Sequence, residues 1–101
     1  MHILQEPRNE IAAIDEQMAA LFQKRMEAVE AIAEYKREHG LPIEDTQQEA
    51  AKVELLSASI ENDALRPFYV QFLENTMEIS KAWQRHLIEE ATATCEAIET
   101  D

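Results

Sequence analysis

Arg25 and Lys36 stand 11 positions apart. On an ideal helix that is three turns plus about 20°, so the two share a face, with Cα atoms about 16 Å apart. The face they share is otherwise an apolar stripe of Ile11, Ile14, Met18, Leu21, Phe22, Val29 and Ile32. Two long cations leaning toward each other on such a stripe can grip a small anion. Alternatively, each snorkels at the edge of a bundle, with its stem buried and its head in water. Arg8 lies 17 positions before Arg25, about 25 Å away along a helix, and cannot reach the same small ligand within one chain. It is either a solvated helix-end residue or, in an antiparallel dimer, a residue aimed at the middle of the partner's first helix.

Polar residues cluster at two further places. Asp45, Gln48 and Glu49 share a face at the start of a second helical segment. Carboxylates there complement the helix dipole; they can also accept a hydrogen bond from a ligand hydroxyl. Ser80 and Gln84, four apart on a mostly apolar third segment, are either satisfied core groups or ligand contacts.

Other chemistries find little support. His2, His39 and His86 have no metal-ligand spacing with one another or with Cys95, so no metal site is expected. Cys95 has no neighbouring base to activate it, and no nucleophile–base arrangement stands out. There is no glycine-rich phosphate loop. Met18, Met26 and Met77 fall at helical positions and read as core filler.

The elements that must position these residues are helices. The chain has 101 residues with one Gly and three Pro, too few for the tight turns of a sandwich or barrel. Nearly half of it is Ala, Glu, Lys, Leu or Arg, the compositional mark of long helices. The apolar periodicity predicts a first helix from about Pro7 to His39, closed by Gly40 as a left-handed cap and by Pro42 beyond it. Asp45 or Thr46 is expected to cap a second helix, with Glu49 completing a capping box with Thr46, and that helix should reach about Ile60. Asp63 is the expected cap of a third, running to about Glu90. The segment from about 91 to 101 reads as an acidic tail, helical or frayed, on a single domain with its core at about 5–90.

A first helix of that length spans about 48 Å, more than a compact domain of this size with its radius of gyration of about 13 Å. Its apolar stripe continues along most of that length. The expectation is an all-α chain of three helices, one long, in an intertwined homodimer.

The formal net charge is -12, from 21 acids against nine bases. Nucleic acid and anionic membranes are therefore not expected partners. No run of about 18 apolar residues suggests a membrane span, and the N-terminus does not read as a secretory signal. A lone Cys fits a reducing compartment, so a cytoplasmic location is expected.

Taken in order, these residues resemble the all-helical chorismate mutase family over about residues 5 to 88. Arg8-Asn9-Glu10-Ile11 with Ile14-Asp15 is similar to the family's opening. Leu21 to Arg25 looks like its Leu-x-x-x-Arg segment, and Lys36 falls where its catalytic lysine falls. Pro42-Ile43-x-Asp45-x-x-x-Glu49 resembles its Pro-Ile/Val-x-Asp-x-x-Arg-Glu motif, and Ser80-x-x-x-Gln84 its ending. The specificity lies in the ordered set, not in any one motif.

The resemblance implies an intertwined helical dimer whose two sites are each built from both chains. It implies the rearrangement of the dianion chorismate to prephenate in aromatic amino-acid biosynthesis, a pericyclic step with no cofactor, metal or nucleophile. By resemblance, Arg25 and the partner's Arg8 bind the two carboxylates, with Ser80 assisting. Lys36 and Gln84 donate toward the breaking ether oxygen. Glu49 accepts from the ring hydroxyl, with the Asp45 backbone beside it. One departure is Gln48, where the family usually has Arg; it leaves one cation fewer against a dianion. An isochorismate-pyruvate lyase or a 4-amino-4-deoxychorismate mutase on the same scaffold, a catalytically weak regulatory partner, and a plain acidic bundle are the alternatives.

Overall fold

The computed structural model describes residues 3–99, and the side chains of residues 3–92. It contains three helices: α1 (Gln5–His39), α2 (Thr46–Ser57) and α3 (Arg66–Glu99). α3 is the element on which both others pack.

α1 has 35 residues and is about 52 Å long. Pro7 sits within its first turn, where a missing N–H costs nothing, so the helix begins before Pro7 rather than at it. Its far end closes in a Schellman motif. Gly40 takes φ 63°, its N–H reaches the Arg37 carbonyl, and the Leu41 N–H reaches the Lys36 carbonyl at 2.9 Å.

Asp45, not Thr46, caps α2. Its side chain accepts from the Gln48 N–H at 3.1 Å, and its own N–H donates to Glu49 Oε2 at 3.2 Å. The reciprocal cap thus runs between Asp45 and Glu49. α2 stops at Ser57 rather than Ile60. The Ser59 hydroxyl takes the Leu56 carbonyl, and Arg66 takes those of Ser57 and Ile60 at 3.1 and 2.7 Å, which satisfies the end of the helix. Asp63 does not cap α3. It pairs with Arg66 at 2.9 Å, while the Asn62 side chain accepts the Ala64 N–H. α3 runs through the expected boundary at Glu90 to Glu99.

The radius of gyration is 18.5 Å and the extents are 66 × 32 × 15 Å, far from the roughly 13 Å of a compact chain of this length. Among the described residues the buried apolar side chains are Val29, Ala33, Leu73 and Met77, and the buried polar ones are Ser80, Lys81 and Gln84. Ile11, Ile14, Met18, Leu21 and Phe22 of the α1 stripe are all exposed. Met18 is therefore not core filler within one chain, whereas Met77 is.

Candidate active site

Five of the buried residues, Val29, Met77, Ser80, Lys81 and Gln84, line one cleft, where the second half of α1, the connection 40–45, the start of α2 and the middle of α3 meet. Arg25, Val29, Ile32, Lys36, Ile43, Asp45, Gln48, Glu49, Lys52, Met77, Ser80, Lys81 and Gln84 line it, and it encloses about 100 Å³. Seven of the eight residues read from the sequence as site candidates converge here. The eighth, Arg8, is exposed on the first turns of α1 and lies outside the cleft.

Each wall has a local cause. The α1 wall carries Val29 and Ile32 between its two cations, so both charged groups project from an apolar surface. The half-buried Arg25 donates to the Ser80 hydroxyl, which in turn donates to the Thr76 carbonyl at 3.0 Å. Ser80 is thereby fixed as a support for the guanidinium. Lys36 donates to the Ile43 carbonyl at 2.9 Å, an acceptor exposed by the turn that Gly40 and Pro42 impose. Asp45 and Gln48 stay exposed at the rim, with Glu49 half-buried between them and α3.

Gln84 is only 5% exposed, and its Oε1 has no hydrogen-bond partner. A buried amide left with a free atom ordinarily loses a kilocalorie or more. Gln84 also lines the cleft.

Lys81 is a residue that sequence reasoning missed. Its side chain is 8% exposed, and Nζ lies 2.8 Å from Glu78, 2.9 Å from Glu49 and 3.2 Å from Glu44. The Glu78 hydrogen bond, then that of Glu49, with Glu44 adding to them, raises the ammonium well above the ordinary lysine range. The hydrogen bond from Lys81, aided by the Asp45 N–H, holds the Glu49 carboxyl below the ordinary carboxylate range. The available signal was its spacing: Lys81 precedes Gln84 by three positions and so shares a face with it. Lys52 joins the lining from α2 by the same kind of spacing from Glu49.

Four of the nine Lys and Arg residues of this acidic chain thus line a single cleft. The arrangement is suited to a small anion with several hydrogen-bonding groups. Among the described residues no group of three His, Cys, Asp or Glu side chains could hold a metal ion. His2 and the side chain of Cys95 lie outside the described residues. No helix among the described residues is long and apolar enough to cross a membrane.

Comparison with known proteins gives a consistent picture. Residues 7–85 match the family described as chorismate mutase type II. The chain is similar to the T-protein of Haemophilus influenzae, with 34% identity covering 67% of this chain and 20% of that protein. It therefore spans about a fifth of the length of the curated relative it matches. No solved structure matches.

Proposed function

Because the chain belongs to the chorismate mutase type II family, an isomerase family of aromatic biosynthesis, we propose that its cleft rearranges chorismate to prephenate and is completed by a second copy of the chain. The observation that carries this reading is the convergence of Arg25, Lys36, Ser80 and Gln84 on one cleft. Gln84 is buried in its lining, 5% exposed.

The reaction sets two physical tasks. A flexible dianion must be held with its reacting carbons close together, which is an orientation effect. Negative charge developing on the breaking ether oxygen must meet donors that are already in place. Arg25, steadied by Ser80, takes one carboxylate. Lys36 and Gln84 face the ether oxygen from opposite helices. Glu49 accepts from the ring hydroxyl, with the Asp45 backbone holding its other oxygen, and Gln48 offers a neutral donor at the rim.

The second carboxylate is left for Arg8 of a second copy. Two observations support the dimer: the extended shape and the exposed α1 stripe from Ile11 to Phe22, which extends from the cleft toward Arg8. A cytoplasmic location goes with this reading.

The test is consumption of chorismate by the purified protein, with the product identified. Prephenate that disappears on Lys36→Ala is the expected result. No turnover of chorismate, by the parent or by Gln48→Arg, would overturn the reading. Isochorismate and the amino analogue would then be assayed.

A further inference from the structure

Glu49 is held by both of its oxygens. Oε2 accepts the Asp45 N–H at 3.2 Å, and Oε1 meets Lys81 Nζ at 2.9 Å. The first contact is internal to the cap of α2; the second crosses to α3. Each carboxylate oxygen has two acceptor sites, so this double anchorage leaves capacity toward the cleft while fixing the direction in which it points. Glu44 and Glu78 hold the same ammonium from outside and are themselves exposed, with side chains 67% and 65% exposed. Of the three acids around Lys81, only Glu49 lines the cleft.

We propose that Lys81 is a positioning residue that orients Glu49 across the α2–α3 boundary and keeps it an acceptor for the substrate hydroxyl. This rests on the chorismate reading of the cleft. The ammonium is enclosed by three carboxylates, so its direct use on an anionic substrate is disfavoured by their repulsion. Acting through Glu49 carries no such penalty. Truncation would free one Glu49 oxygen and remove one of the four cations of the cleft.

The groups around Glu49 are Arg25 and Lys36 on α1, Glu44 and Asp45 in the connection, Lys52 on α2, and Glu78 and Lys81 on α3. Without Lys81 the nearest cation is lost and the nearby acids remain, so the carboxylate protonates at a higher pH.

The experiment compares the pH dependence of kcat/KM for the parent, Lys81→Met, Lys81→Gln and Lys81→Arg, each also carrying Glu49→Gln. It is paired with an NMR titration of the Glu49 side-chain carboxyl. Lys81→Met and Lys81→Gln are expected to lower kcat/KM about 10- to 100-fold, as loss of orientation does. They should also move the acid limb and the Glu49 titration to higher pH. Lys81→Arg should retain the parent's limb. With Glu49→Gln present, the Lys81 substitutions should add little.

Equal losses in both backgrounds, with an unmoved acid limb and an unmoved Glu49 titration, would overturn the proposal. If the parent does not turn over chorismate, the reaction assignment falls. The Glu49 titration then still decides whether Lys81 governs that carboxyl.

Discussion

Lys36, in the last turn of α1, donates to the Ile43 carbonyl at 2.9 Å and so ties the end of that helix to the connection carrying Asp45. An ammonium has three donors, so this bond leaves two for a ligand in the cleft. On the proposed reading, Lys36→Ala removes the ether-oxygen donor and this tie together. Turnover of chorismate is expected to fall about 100-fold or more, in line with the loss of other oxyanion donors. Steady-state kinetics with a folding check by circular dichroism measures it.

Gln48 sits at the exposed rim of the same cleft, one residue before Glu49. Gln48→Arg adds a cation at the rim of the proposed dianion site. A solvent-screened pair contributes up to about 1 kcal/mol, so KM for chorismate is expected to fall about two- to fivefold. An unchanged or higher KM would show that position 48 does not meet the substrate.

Arg8 and Lys36 lie on one helix but, in the dimer reading, serve different sites. Arg8→Ala and Lys36→Ala proteins are each expected to be nearly inactive. Refolding them together in equal amounts should restore roughly a quarter of the parent's activity, because half of the dimers are then mixed and each has one intact site. No recovery in the mixture would place Arg8 outside the partner's site.

Gly40 takes φ 63°, and a Cβ built there meets nothing within 4 Å. The loss on Gly40→Ala is therefore that of the left-handed backbone alone, about 1 to 2 kcal/mol. Urea denaturation at fixed protein concentration should read it. Gly40→Asn should recover part of it, since Asn tolerates this conformation.

The Lys81–Glu49 pair also sets a pH window for stability. Glu49 is lowered by its bond from Lys81, so its contribution is present above the ordinary carboxylate range and lost as pH falls through its folded value. Lys81 is raised, chiefly by Glu78 and then by Glu49, so its contribution is full below the ordinary ammonium range and lost as pH rises through its folded value. The stability difference between the parent and Lys81→Met is expected to be flat at neutral pH and to shrink at both extremes. A series of urea titrations across pH measures this.

Much of this was legible in the sequence. Gly40 and Pro42 marked the end of α1, and the spacing of Arg25 and Lys36 put both cations on one wall. The pairs Asp45 with Glu49 and Ser80 with Gln84 were visible as shared faces. Lys81 was not, because a lysine beside Ser80 reads as solvated until Glu44, Glu49 and Glu78 arrive from three different segments. Local signals also misjudged the helix ends. Asp63 is a good cap by type, but Arg66 claims it and closes the α2–α3 turn as well. Past about Glu90 the sequence left a helical extension or a frayed tail open, and α3 takes the helical course to Glu99.

Ser80, Lys81 and Gln84 are buried side by side with Val29, Ala33, Leu73 and Met77, so the interior of the chain and the lining of its cleft are largely the same residues. On the proposed reading, an attempt to make this protein more heat-resistant by repacking its interior would therefore trade away activity wherever it replaced Ser80, Lys81 or Gln84. The room for such engineering lies at the helix ends around Ala58 and Asn62, away from the residues assigned to the substrate.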